Sequence, residues 1–172
     1  MALTIVETVG SASANSFVSE AVADAYLEAR PNSSTWTGTT AKQQALISAT
    51  RLLSMQQWQG ARVDETQALA WPRQWVVNAD APWGNTYFST TALPQWLKDA
   101  TCELAFETLR AGTTDIFALP ATDGVIVKTI DVLSTTYSEH AQKTGLQRYP
   151  LVWQLIRPYV VTSGPQVPLV RG

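Results

Sequence analysis

The stretch WQGARVDETQALAWPRQW, residues 58–75, separates two predicted helices and has no helical or strand periodicity of its own. It carries three of the seven tryptophans, and the irregular region that it opens continues to about residue 92. Loops longer than about 12 to 15 residues without regular structure are usually functional sites or linkers. Because the segment is too aromatic for a linker, it is the first candidate functional region.

The helices on either side of this segment are marked by apolar periodicity and by signals at their ends. Before it, Thr40 and Gln43 form the T-x-x-Q pattern of a capping box, and one apolar stripe continues to about Trp58. After it, Pro94 stands at the favoured first helical position, and Gly112 is a predicted C-terminal cap. This later helix is apolar on most sides, which is typical of a central helix.

Shorter elements complete the predicted domain. Ser19 is a good N-cap for a first helix, which Pro31 ends. β-Branched and turn-forming residues predict a strand at residues 3–7 and a β-hairpin near residues 124–138. Apolar residues at 151–157 predict one more helix. The sequence therefore predicts a mainly α fold, a small bundle of three to four helices with a short β-hairpin.

A single domain over residues 1–159 is predicted to be followed by an extended C-terminal tail at residues 160–172. Pro165 and Pro168 oppose a regular element in this tail. Its apolar residues suit solvent poorly, so the tail either docks onto a partner or frays without one.

Composition limits the classes of function. The net charge is -2 and only 15% of residues are charged, against a usual level of about 25%. No basic tract exists, since even the closest pair of cations, Lys143 and Arg148, is five residues apart. The scattered cations give little support to nucleic-acid binding, although folding could gather them on one face. Seven tryptophans on so weakly charged a chain indicate either a Trp-rich core or a surface covered by other subunits.

The residue types needed for catalysis are scarce. Cys102 and His140 are the only cysteine and histidine, so the chain can form no internal disulfide and no Cys/His metal site. We expect Cys102 to be a buried small hydrophobe and His140 to be exposed and non-catalytic. Without the sequence motifs of hydrolases, nucleotide enzymes or zinc enzymes, we expect no catalytic residues, no metal and no cofactor. No apolar run reaches membrane length, so a soluble cytoplasmic protein without a membrane partner is expected.

Three acidic residues, Asp99, Glu103 and Glu107, are spaced four apart and lie on one face of the predicted central helix. Evenly spaced acids most often form a solvated stripe. They could also bind a hard cation, perform acid/base chemistry, or face a polyanion that must not adhere.

The aromatic residues of the long segment allow two interpretations. In the structural one, Trp71 lies in the core, Pro72 directs the chain, and Arg73 reaches a carboxylate or a carbonyl; the rival is a contact with a neighbouring protomer. In the binding one, aromatic side chains stack on bases, although only Arg62 and Arg73 supply nearby positive charge. The aromatic residues concerned are Trp71, Trp75, Trp83, Tyr87 and Phe88.

Four motifs in fixed order carry a family likeness: ALISATRLL (45–53), WQG (58–60), QALAWPR (67–73) and LPQWLKDATCELA (93–105). The chain resembles the small head-tail connector (neck adaptor) proteins of tailed bacteriophages from about residue 15 to residue 159. Proteins of this appearance are also labelled as a DnaT-like single-strand DNA-binding domain, so the likeness implies two functions.

The connector likeness implies a non-enzymatic, largely helical subunit of a ring of about twelve copies, closed by head-to-tail contacts. Such a ring lies below the portal, extends the DNA channel and attaches the tail. Its partners would be the portal protein, neighbouring copies, the next neck or tail component, and genomic duplex DNA that passes without specific binding. The implied location is the virion neck, after assembly in the host cytoplasm.

The same likeness assigns roles to residues. The tail would bind the portal, the long segment would supply structural or inter-subunit contacts, and Asp99, Glu103 and Glu107 would face the lumen and repel the duplex. A DnaT-like single-strand DNA binder instead predicts basic and aromatic residues that converge on one groove. The portal-binding residues would be Val167, Pro168, Leu169, Val170 and Arg171, and the segment residues Trp71, Arg73, Trp75 and Trp83.

Overall fold

The computed structural model describes residues 3–78, 80–81, 86–112, 127–130, 133–136 and 145–161. These residues form four α-helices and three antiparallel pairs of short strands, so the predicted mainly α fold is confirmed. None of the described helices has the length and apolar character of a membrane span. The helices are α1 (Glu20–Glu28), α2 (Thr39–Ser54), α3 (Gln95–Arg110) and α4 (Pro150–Ile156). The strands are β1 (Ala61–Arg62), β2 (Arg73–Gln74), β3 (Val77–Asn78), β4 (Thr86–Tyr87), β5 (Val127–Ile130) and β6 (Leu133–Thr136).

Helix α3 lies at the centre of the bundle and contacts α1, α2 and α4. More than half of its residues are buried, as its sequence predicts. Two of these are threonines, whose hydroxyls donate to carbonyls one turn earlier: Thr101 to Leu97 at 2.7 Å and Thr108 to Leu104 at 2.8 Å. A polar side chain can enter the core here because the helix itself supplies the hydrogen-bond acceptor.

Two helix ends follow the sequence signals, and two helix starts differ from them. Ser19 caps α1 by accepting a hydrogen bond from the Val22 amide. At the far end of α3, Gly112 has the left-handed backbone of a C-terminal cap, with φ of +68°. Pro94 directly precedes the first residue of α3 rather than opening the helix.

The predicted capping box at Thr40 and Gln43 is wrong. Helix α2 begins at Thr39 after Gly38, and no side chain caps it. The Gln43 amide instead donates to the Glu20 carboxylate at 3.1 Å, which ties α2 to the first turn of α1. The Gln43 side chain, which a local cap would use, is therefore bound to Glu20 of another helix.

The predicted strand at residues 3–7 is also wrong. Asn15 satisfies this part of the backbone instead, because its side chain accepts from the Val6 amide and donates to the Thr4 carbonyl, both at 2.8 Å. The β-hairpin near residues 124–138 is confirmed as β5 paired with β6. The last helix is confirmed with its start at Pro150.

The region between α2 and α3 is more regular than predicted. Strands β1 and β2 pair with each other, and β3 pairs with β4. The first two residues of the predicted tail also pack against the domain: Val160 forms an isolated β-bridge with Trp58, and the Val161 amide donates to the Gln57 carbonyl at 2.7 Å. Residues 162–172 lie outside the described residues.

Gly60 yields a prediction for stability. Its φ is +67°, and a Cβ added there would collide with the Gln74 carbonyl oxygen and lie 2.8 Å from Val76 Cγ2. We expect Gly60→Ala to lower the free energy of unfolding by about 3 to 5 kcal/mol, because backbone strain and overpacking act together. Urea denaturation measures the loss.

Gly10 supplies the matched control. It has φ of +73°, but nothing lies within 4 Å of an added Cβ. Gly10→Ala should therefore lower the free energy of unfolding by only about 1 to 2 kcal/mol, the effect of the left-handed backbone alone. Equal losses in the two variants would show that the close approach at Gly60 is not tight.

Candidate functional site

Five aromatic rings form a cluster that joins the long segment to the helices. Trp71 meets its neighbours edge to face, with ring centroids 5.8 Å from Trp58, 5.3 Å from Trp96 and 6.1 Å from Phe88. Trp96 in turn stacks on Tyr159 at 4.3 Å, with an angle of 15° between the rings. Such pairs add about 0.5 to 1.5 kcal/mol each beyond burial. The cluster therefore fastens the segment to α3 and to the last described turn.

Trp71 is the centre of this cluster and is only 1% exposed. The structural interpretation of Trp71 as a core residue is confirmed. The peptide bond between Trp71 and Pro72 is cis, and Pro72 is buried too. The next residue, Arg73, contacts the backbone of residues 58–60, which follow α2.

Arg73 holds this turn together through backbone carbonyls. Its guanidinium is surrounded by carbonyl oxygens rather than by a carboxylate, which confirms one of the two predicted kinds of partner. Burial, with the charge of Arg62 as a smaller cause, lowers the pKa of Arg73. The acceptors are Gln59 O at 2.7 Å from Nε, Ala70 O at 3.2 Å from Nη1, and Gly60 O at 2.7 Å and Trp58 O at 3.4 Å from Nη2.

Gln67 is a structural residue that the sequence analysis missed. It is 2% exposed, and its amide makes four hydrogen bonds within the segment. Its position directly before the apolar run ALAW was the available signal, because a buried amide must find partners. Its oxygen accepts from Val63 N and Asp64 N, both at 3.1 Å, and its nitrogen donates to Leu69 O at 2.8 Å and Pro72 O at 3.2 Å.

Beyond Arg73 the chain presents aromatic side chains to solvent. Trp75 is 64% exposed and has a left-handed backbone with φ of +63°. Val77 lies directly opposite Tyr87 in the β3–β4 pair, and both are exposed, whereas the intervening Val76 is fully buried. We call Trp75, Val77 and Tyr87 the outer aromatic face. Arg62 is the exposed cation nearest to it along the strands, opposite Arg73 in the β1–β2 pair.

The three acids of α3 do not form an exposed row. Glu103 is 5% exposed and pairs with Arg30, while the Tyr26 hydroxyl donates to it at 3.0 Å. The predicted acidic stripe is therefore wrong at Glu103, because a cation 73 residues earlier in the chain neutralises it. The predicted face that would repel duplex DNA therefore lacks its central exposed carboxylate.

The outer two acids of that row are also engaged within the protein. Glu107 accepts from Arg30 at 3.3 Å and from Arg110 at 2.6 Å. Asp99 accepts from the Gln95 amide at 2.8 Å. The Arg30 guanidinium additionally lies 4.4 Å from the centre of the Phe106 ring, so this charge network fastens α1 to α3.

Metal-ligating clusters and the single cysteine are the groups to examine for chemistry among the described residues. They contain no group of three or more His, Cys, Asp or Glu side chains that could hold a metal ion. Cys102 is buried as predicted, and burial raises the pKa of its thiol to about 12, so the thiolate nucleophile does not form near neutral pH. Trp83, His140 and residues 167–171 lie outside the described residues, and their assignments stay predictions.

Comparison with known families covers the whole chain. A family model described as "Putative DnaT-like ssDNA binding protein" matches residues 1–172. The chain belongs to this family. No curated protein and no solved structure matches it. The DnaT-like part of the predicted likeness is therefore confirmed, whereas none of the three comparisons supports the likeness to head-tail connectors.

The carbonyl contacts of Arg73 in this DnaT-like chain give a second prediction. Lysine is a compact point charge and cannot span four carbonyls arranged around a planar guanidinium. We expect Arg73→Lys to lower the free energy of unfolding by about 2 to 3 kcal/mol, since charged hydrogen bonds are lost and carbonyls are left unpaired. Arg62→Lys on the paired strand is the control and should change it by less than about 0.5 kcal/mol. Similar losses in both variants would contradict the structural role of Arg73.

Proposed function

We propose that this protein binds single-stranded DNA by stacking bases on the outer aromatic face. The observation that carries the proposal is Trp75, which remains 64% exposed within a segment whose other two tryptophans are buried. The description of the family points to the same ligand. An exposed aromatic ring can stack on the π-face of any base, which suits a single-stranded ligand.

The backbone at Trp75 adds to this argument. A bulky residue with positive φ is a conformational outlier, and such residues cluster at functional sites. Here φ is +63°, and the following residue, Val76, is fully buried and accepts a hydrogen bond from the Phe88 amide at 3.0 Å. The strained residue is therefore held by a fixed neighbour, while its ring stays in water.

Charge contributes less than stacking at this surface. Arg62 is the exposed cation nearest to it along the strands, and Asp64 and Glu65 follow two and three residues later. Each phosphate neutralised on a single strand contributes about -0.7 to the slope of log affinity against log salt. A site with about one such contact should have a slope near -0.7, far shallower than that of a basic groove.

The test is the affinity of Trp75 variants for a fluorescein-labelled oligothymidylate of about 20 nucleotides, long enough for several stacked bases. Trp75→Ala should weaken binding by about 5-fold to 150-fold, because one stacked base contributes about 1 to 3 kcal/mol. Fluorescence anisotropy at two salt concentrations measures the affinity and its salt slope.

Leu151→Ala is the control for this experiment, since Leu151 is 50% exposed and lies on α4. It should bind like the unaltered protein, and the matching duplex should bind weakly. No binding of the oligonucleotide, or equal losses in the two variants, would refute the proposal.

The outer aromatic face also favours a second candidate function, a subunit of a head-tail connector ring. Interface centres are enriched in Trp and Tyr and depleted of charge, as this face and this chain of net charge -2 are. In that role Trp75 and Tyr87 would contact the neighbouring copy, residues 167–171 would bind the portal, and duplex DNA would pass without being held.

Electron microscopy separates the two candidates. If the protein is a connector, mixing it with portal protein should give a ring stacked on the portal, and Trp75→Ala should reduce the occupancy of that ring while Leu151→Ala does not. A portal without added density would exclude this candidate. A negative result with the portal would not affect the interpretation of the oligonucleotide experiment.

A further inference from the structure

A groove lies between the N-terminal segment, α1 and the start of α3. Its volume is about 370 Å³, within the range of about 300 to 1,000 Å³ that is common for binding pockets. Its walls are mainly apolar, with Glu7 and Lys98 as the charged side chains of its lining. The lining residues are Glu7, Thr8, Val9, Phe17, Val18, Val22, Leu93 and Lys98.

The groove exposes apolar surface and unneutralised charge. Val9 is 40% exposed and Val22 is 42% exposed. Within the part of the chain that the structure describes, neither Glu7 nor Lys98 takes part in an ion pair. An occupant that suits these walls is an extended apolar peptide with a cation to meet Glu7.

The described chain ends at the same end of the bundle. Tyr159 stacks on Trp96 in the first turn of α3, which starts beside the groove residues Leu93 and Lys98. Eleven residues, 162–172, follow Val161. At about 3.3 Å per residue, the ten steps from Val161 to Arg171 span up to about 33 Å, about the diameter of a small domain.

We propose that residues 165–171 of the same chain dock in this groove. Val167, Leu169 and Val170 would cover its apolar walls, and Arg171, the only charged residue of the segment 162–172, would lie beside Glu7. Pro165 and Pro168 favour an extended backbone, so less conformational entropy is lost on docking. A short tether gives an effective concentration in the millimolar range, which favours the chain's own segment over that of another copy. The docking does not rest on DNA binding or on ring assembly.

Disulfide trapping in the full-length chain tests this docking. Val22→Cys on the groove wall is combined in turn with Val167→Cys, Leu169→Cys and Val170→Cys, which samples three registers. The native Cys102 does not interfere, because it is buried and its thiol pKa is raised to about 12. We expect at least one pair to form an intramolecular disulfide, seen as a faster-migrating monomer on a non-reducing gel.

Ala111→Cys supplies the matched control, combined with the same tail cysteines. Ala111 is exposed at the other end of α3, about 20 Å from Lys98 at 1.5 Å per helical residue. The trapped pair should form at least about tenfold faster than the control pair, because docking raises the local concentration of the two thiols. Equal rates would overturn the proposal.

Two further outcomes of this experiment also test the proposed docking. Disulfide-linked dimers or ladders would mean that the segment occupies the groove of a neighbouring copy, and would overturn docking within one chain. Arg171→Glu should slow trapping by about twofold to fivefold, the effect of an exposed ion pair, and adding Glu7→Arg should restore the rate. If Arg171→Glu has no effect, or if the second change does not restore the rate, the assigned partner of Arg171 is wrong.

Discussion

The guanidinium of Arg73 and the carbonyl oxygens around it form the contact on which the middle of this protein depends. A charged donor contributes about 1.5 to 3 kcal/mol per hydrogen bond, more than a neutral one. Arg73 gathers the carbonyls of residues 58–60, just after α2, and that of Ala70, just before the turn. It thereby closes the long segment into a compact loop.

That loop determines which tryptophan faces inward and which faces outward. Trp71, two residues before Arg73, enters the aromatic cluster, and Trp75, two residues after it, remains in solvent. Gly60 is needed on the opposite side, because the backbone there passes too close to Gln74 for a side chain. The proposed binding surface is therefore a consequence of a tightly packed structural turn. An exposed ring on a rigid base loses little entropy when a flat ligand stacks on it.

The sequence predicted the elements that depend on local pattern. The apolar character of α3 indicated a central helix, Ser19 marked the start of α1, and the β-hairpin followed its β-branched residues. Predictions failed where a distant side chain supplied the partner. Glu103 looked like part of a solvated stripe because its partner Arg30 is 73 positions away, and Gln43 left its local cap for Glu20.

The candidate site was also predictable only where its features depend on local sequence. Trp71, Arg73 and Trp75 stood out by composition, and the expected roles of Trp71 and Arg73 follow from ordinary burial and hydrogen bonding. No periodicity distinguishes an inward from an outward tryptophan in a segment without regular structure. Trp75 has a left-handed backbone and Val77 lies opposite Tyr87, and both features are properties of the folded chain.

The most direct test of this division follows the indole N–H signals by nuclear magnetic resonance while a single-stranded oligonucleotide is added. If Trp75 is the outward ring that meets the bases, its signal should shift progressively, while those of the packed residues Trp58, Trp71 and Trp96 stay in place. An unchanged Trp75 signal, or equal shifts of the packed tryptophans, would contradict the account.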